Sequence, residues 1–188
     1  MATRDGWNRK SRRRNKCGHA ISEFGSAMVL FICFFLAPLI DVSFIPVRYL
    51  IAQGVLCELT HRLSLAETRT DAYTLLNSET WWQDFLNKFG ITAHDTKLKL
   101  VVLGKIPSDM TSANSAADHL TSDWLPEGSK GPCVYSLELS SDCDLPPLFS
   151  FDAGLPGFTT PVTLNLKARS QWENLGRNPQ TGNFYINE

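Results

Sequence analysis

The 188-residue chain is short of the groupings that carry most enzyme and metal chemistry. Its four histidines (His19, His61, His94 and His119) are dispersed, and its five cysteines include no Cys-x-x-Cys pair. The Cys-x-x-Cys zinc patterns are thereby absent, and no metal is expected. There is no Gly-x-Ser-x-Gly, no His-Glu-x-x-His and no phosphate-binding glycine-rich loop, so neither an enzyme nor a cofactor is expected. Asp142, Asp144 and Asp152 lack the ligand spacing and the turn glycine of a calcium loop, and read as a solvated acidic loop. No internal repeat is present. With 43% hydrophobic and 20% charged residues, the chain is neither wholly disordered nor a multi-span membrane protein.

What is there is unevenly spread. Seven of the 18 Lys and Arg fall in the first 18 residues, opposed there by Asp5 alone. The leader therefore carries +6, which leaves −7 for the remainder of a chain whose net charge is −1. A basic arm on an acidic body argues against a surface built for nucleic acid. Between Glu23 and Asp41 the run Phe24 to Ile40 has no charged residue over 17 positions. A bilayer needs about 20 apolar helical residues, with about 17 as the lower limit, and Val42 to Leu50 can extend the run past Asp41. Phe31, Phe34 and Phe35 alternate with Leu30, Ile32 and Leu36 on every face, a pattern that a small protein cannot bury as a core helix. The expected partner is membrane lipid.

The Lys and Arg bias sets the orientation. Only Arg48 and Arg62 lie in a comparable stretch after the run, so the N-terminus is expected in the cytoplasm and the C-terminal part outside it. Ala37-Pro38-Leu39 offers no small-x-small site for signal peptidase. Cys17 precedes the apolar run, where a lipidated cysteine would follow one. The span is therefore expected to stay on the mature protein.

The junction of arm and run reads Lys16-Cys17-Gly18-His19-Ala20-Ile21-Ser22-Glu23-Phe24. A glycine closes the charged leader, and five residues later a carboxylate stands at the cytoplasmic edge of the apolar helix. This resembles the cleavage signal of type IV prepilins, and Glu23-Phe24 is similar to the Glu-Tyr or Glu-Phe pair of the Flp and Tad (tight adherence, type IVb) branch. The resemblance implies that a prepilin peptidase cuts after Gly18, leaving His19 as the new N-terminus and Glu23 as the fifth mature residue. Independently of the family, a carboxylate near the membrane interior is costly unless paired. The amine that cleavage creates, with a pKa of about 7.7–8.0, supplies a cation. Glu23 of one subunit would then pair with the amine of the next. The simpler reading places Glu23 among the headgroups, where a helix N-terminus favours an acid.

After Pro46, Val47, Leu50, Ile51, Val55, Leu59 and Leu63 fall close to one face, which predicts an amphipathic continuation of the helix to about Asp71. Pro38 and Pro46 are expected to bend the helix, and Gly54 to soften it. A short helix capped at Asn77-Ser78 follows, with Trp81, Trp82, Phe85, Leu86 and Phe89 on one side and Gly90 at its end. Residues 97–106, 133–140 and 162–169 alternate as half-buried strands. A polar loop from Ser108 to Pro132 and a Pro- and Gly-rich loop separate them, and residues 172–188 read as an irregular tail. Cys133 and Cys143 enclose nine residues and form a candidate disulfide in an oxidising compartment, with two buried thiols as the other reading.

The expected class is α+β: a basic leader (1–18), a transmembrane and stalk helix (19–71), and a small antiparallel-sheet extracytoplasmic domain (72–188). The order of elements, with Leu155-Pro156-Gly157-Phe158 before the last strand, is similar to the TadE-type pseudopilins of Tad pilus systems. The motif-bearing similarity covers Arg12 to Val55. The chain is much longer than the major Flp pilin, which points to a minor component. The resemblance implies a non-enzymatic role in pilus assembly and adherence, single-pass in a bacterial inner membrane or carried into the pilus. The implied partners are prepilin peptidase, other pilins or pseudopilins and the inner-membrane Tad assembly platform. The alternative from a different class is an uncleaved single-pass anchor displaying a periplasmic binding domain.

Overall fold

The computed structural model describes residues 23–106, 108–149 and 160–188, and it begins with one helix, α1, over Glu23–Ser64. The apolar side chains, a minority of them β-branched, are compatible with this conformation, and Ser26 and Ser43 satisfy their hydroxyls on the carbonyls of Glu23 and Leu39. Pro38 cannot donate a backbone hydrogen bond. Just before it the helix opens into a π-turn, Ile32–Leu36, and the Ala37 N–H reaches back to the Ile32 carbonyl.

The helix ends at Ser64, not at Asp71. Thr68 and Asp71 form a capping box: the Thr68 hydroxyl accepts the Asp71 N–H at 3.1 Å, and the Asp71 carboxylate accepts the Thr68 N–H at 3.2 Å. That pair starts a separate helix, α2, over Arg69–Ser78. Asn77 and Ser78 therefore lie in its last turn, and α3, Trp81–Lys88, follows from Thr80. In α3, Trp82 and Leu86 are buried, while Phe85 and Phe89 face outward with their ring centroids 5.2 Å apart. Gly90 leaves the helix at φ 67, a conformation that glycine adopts without strain.

Four antiparallel strands form one sheet in the order β2-β1-β3-β4: β1 is Thr92–Leu103, β2 Met110–Ala113, β3 Val134–Leu145 and β4 Val162–Gln171. The three strands expected from alternation are present. The polar loop contains β2 as well, a four-residue edge strand in which only Ala113 is buried. Leu98, Leu100 and Val102 of β1, Leu137 and Leu139 of β3, and Leu166 and Ala168 of β4 face the helices. Ala52, Val55, Leu56, Leu59 and Leu63 of α1 meet them, and α3 adds Trp82 and Leu86. Burying each large side chain contributes about 1.5–3 kcal/mol. The C-terminal segment closes this core: Trp172 and Ile186 are fully buried, the Trp172 indole donates to the Asn174 carbonyl at 2.6 Å, and the Thr70 N–H donates to the Glu188 carbonyl at 3.0 Å. It is a packed segment, contrary to the expectation of an irregular tail.

On the opposite face Lys99, Glu138 and Arg169 stand in register across three strands. Lys99 Nζ lies 2.8 Å and Arg169 Nη2 2.5 Å from the two oxygens of the buried Glu138 carboxylate. Burial pushes this carboxyl up, but the hydrogen bonds and charges of Lys99 and Arg169 outweigh it and hold it below its usual value of 4.5. A depressed carboxyl contributes stability above its unfolded value, and that contribution disappears as pH falls through the folded value. Glu138→Gln is therefore expected to cost about 1–2 kcal/mol at pH 7. It should also flatten the loss of stability below pH 4.5, as read by urea titrations across that range.

Candidate functional site

Along α1 two surfaces separate. Asp41, Ile45, Arg48, Ala52, Val55, Leu56, Leu59 and Leu63 recur at helical spacing and face the domain. Leu39, Val42, Val47 and Leu50 point the other way, and Leu50 is 67% exposed. Val47 and Leu50, expected on the packing face, thus belong to the opposite one. Toward the N-terminus from Ile40 no side chain of the described helix is buried, and the most apolar 18-residue window is only 6% buried. The protein has one helix long and apolar enough to cross a membrane among the described residues.

The boundary between the exposed run and the packed helix is a polar junction. Asp41 is 4% exposed despite its place in an apolar helix. Its Oδ1 accepts the backbone N–H of Leu148 at 2.8 Å and of Phe149 at 3.2 Å, and Oδ2 accepts the latter at 3.3 Å. Two turns on, Arg48 Nη1 donates to the Pro146 carbonyl at 2.5 Å. Residues 146–149, directly after β3, are therefore strapped to the helix by one acid and one base. Amide donors directed at a carboxylate are charge-assisted bonds, about twice as strong as neutral ones. They satisfy a group whose burial would otherwise cost several kcal/mol.

Gly18 and His19, the expected processing site, lie outside the described residues. Glu23, the expected pairing residue, is the first described residue of α1. The disulfide between Cys133 and Cys143 is not formed. Cys133 directly precedes β3 and Cys143 lies near its far end, buried on the core face between Ala93 of β1 and Leu164 of β4. Ten residues of extended strand separate the two by about 33 Å, where a disulfide needs Cα atoms within about 7 Å. Burial pushes the Cys143 thiol up, so it is a poor nucleophile.

The acidic cluster is part of the strand ladder. Asp142 accepts from Asn165 Nδ2 at 2.5 Å and Asp144 from Thr163 Oγ1 at 2.5 Å, while Asp152 lies outside the described residues. A bulge in β1 between His94 and Lys97 places Asp95 at φ 50 and brings one ligand atom each from His94, Asp95 and Asp142 within 4.8 Å of one another. His94 and Asp142 are 48 positions apart in sequence, so no local spacing reveals the group. It lies at the surface, and Asp142 is already engaged by Asn165. Arg69 at the start of α2 is fully buried, with Nη2 donating to the Ala116 carbonyl at 2.9 Å, and burial pulls its guanidinium below its usual value.

Two outcomes follow from this geometry. Reduction should leave gel mobility unchanged, and Cys143 should resist alkylation in the native protein but react after unfolding, as read by mass spectrometry. Asp41→Ala should release the strap at a cost of about 1–3 kcal/mol. Hydrogen exchange at the Leu148 and Phe149 amides should then accelerate, while that of the β3 amides stays slow. No family model, curated protein or solved structure matches the chain.

Proposed function

We propose that the chain is a membrane-anchored assembly subunit, a minor pseudopilin of the Tad type that is processed after Gly18. The observation that carries this reading is the division of labour along α1. Its N-terminal half is exposed and apolar on every side, while its C-terminal half is the central packing element of a four-stranded antiparallel domain. One continuous helix thus serves two solvents, as a filament subunit drawn from a membrane requires. The basic leader before the helix favours a cytoplasmic N-terminus, and the domain then stands outside the cytoplasm. Glu23 at the opening of α1 is the residue through which neighbouring subunits would be brought into register, by pairing with the amine at His19 that cleavage creates.

The deciding measurement is the N-terminal mass of the protein recovered from its own membranes. Processing yields a chain beginning at His19, and Gly18→Val should yield the longer chain because a β-branched residue crowds the subsite that holds glycine. An unprocessed wild-type chain would leave the tethered-domain reading standing. Glu23→Ala separates the two further. It should leave membrane insertion intact while lowering the count of surface filaments in cells that make them, whereas a plain tether is indifferent to the change.

A further inference from the structure

The junction at Asp41 has an unusual chemistry for a loop contact in water. The charge-free run of 17 residues rises about 25 Å as a helix, roughly 5 Å short of a hydrocarbon layer about 30 Å thick. Three or four further residues complete the crossing, which brings Asp41 and the strap of residues 146–149 to the outer edge of that layer. We propose that this strap is a membrane-seated part of the domain, with Leu148 and Phe149 in contact with the lipid of the outer leaflet. The inference rests on the membrane-spanning reading of α1 given above.

Three features of the strap suit that place. First, it offers no free backbone donor: Pro146 and Pro147 have no N–H, and those of Leu148 and Phe149 are taken by Asp41. Irregular backbone is tolerated at membrane depth only where protein satisfies it. Second, both charges on this stretch of the helix, Asp41 and Arg48, are turned toward the strap. Asp41 is covered by the strap, and Arg48 reaches along it to the Pro146 carbonyl. Third, what the strap turns outward is apolar, with Leu148 43% and Phe149 47% exposed. On the opposite side of the helix Leu39, Val42, Val47 and Leu50 are equally bare. At the level of Asp41 the protein is therefore apolar on the helix side and the strap side alike, and the surface is continuous with the exposed run from Phe24 to Ile40. In water the same carboxylate would gain by facing solvent, and the same side chains would form an uncovered patch.

The test uses the full-length chain carrying a diazirine amino acid at one position at a time (Phe35, Leu148, Phe149 or Met110). The protein is reconstituted in phosphatidylethanolamine and phosphatidylglycerol vesicles, illuminated and analysed by mass spectrometry. Phe35 reports on the span itself, and Met110, exposed on edge strand β2, reports on water. Lipid adducts at Leu148 and Phe149 approaching those at Phe35, and about tenfold above those at Met110, are expected. Adducts at Phe35 with Leu148 and Phe149 no higher than Met110 overturn the strap proposal and leave the span intact. No adduct at Phe35 overturns the membrane reading and the strap with it. Adducts at Leu148 and Phe149 to a second copy of the chain, in place of lipid, overturn lipid as the occupant.

Discussion

An acid directly after a charge-free helical run has two ways of being stable in its ionised form: water, or a set of donors brought to it by the rest of the chain. Asp41 has the second, and much of the molecule is arranged by that choice. The donors come from the segment directly after β3, one of the two inner strands of the sheet, paired with both β1 and β4. Pro146 and Pro147 have no N–H for a ladder and end β3 at the point where this segment makes its contact with the helix. The same contact fixes where the exposed part of α1 gives way to the packed part.

From Asp41 onward the packing face of α1 is a single stripe at helical spacing through Ile45, Arg48, Ala52, Leu56, Leu59 and Leu63. Its first members are polar ties and its later members are fully buried hydrocarbon. A stripe on one helix admits one rotational setting against one sheet, since turning the helix by a single residue would withdraw Ala52, Leu56 and Leu59 from the core. Gln53 adds to the setting by donating to the Lys167 carbonyl of β4 at 2.9 Å. Strand β4, an edge strand of the sheet, is thereby covered by α1 at its middle, which limits the pairing sites it offers to other chains.

Several of these elements were legible in the sequence. Strands β1, β3 and β4 announced themselves by alternation, and Leu166 and Ala168 lie on the face that alternation assigned. The helix was legible in length but not in facing. Val47, Leu50 and Ile51 line up with Val55 on a helical wheel as well as the true stripe does, and hydrophobicity alone cannot distinguish a side chain bound for a core from one left exposed. The end of α1 had a signal that went unread, the Thr68-x-x-Asp71 capping box. Strand β2 had none, because four residues with one buried position carry no period. The packing of the C-terminal segment has no local signal for the same reason: Trp172 and Ile186 are isolated apolar residues whose burial depends on partners far along the chain. The partners of Asp41 stand 107 and 108 residues away, beyond any local reading. The cysteine expectation was at odds with the strand expected over residues 133–140, whose ends stand about 23 Å apart, more than the three residues to Cys143 can retrace. The strand running to Leu145 widens that gap further.

The single rotational setting of α1 has a consequence for how the two ends of the molecule are related. A continuous helix transmits rotation about its axis stiffly, and here it is gripped over its last four turns by packed hydrocarbon and at Asp41 and Arg48 by polar bonds. The direction in which the exposed face around Leu39, Val42 and Leu50 points is therefore set by the sheet. Whatever covers that face, lipid or another helix, meets the sheet domain in one orientation only. In the described helix the π-turn at Ile32–Leu36 departs from α-geometry before the Asp41 junction, and Pro46 withholds one backbone N–H after it, so rotational adjustment between Glu23 and Asp41 is concentrated at the π-turn. A helix built this way can vary the azimuth of residues 23–31 without disturbing the Asp41 junction or the packing of the domain beyond it.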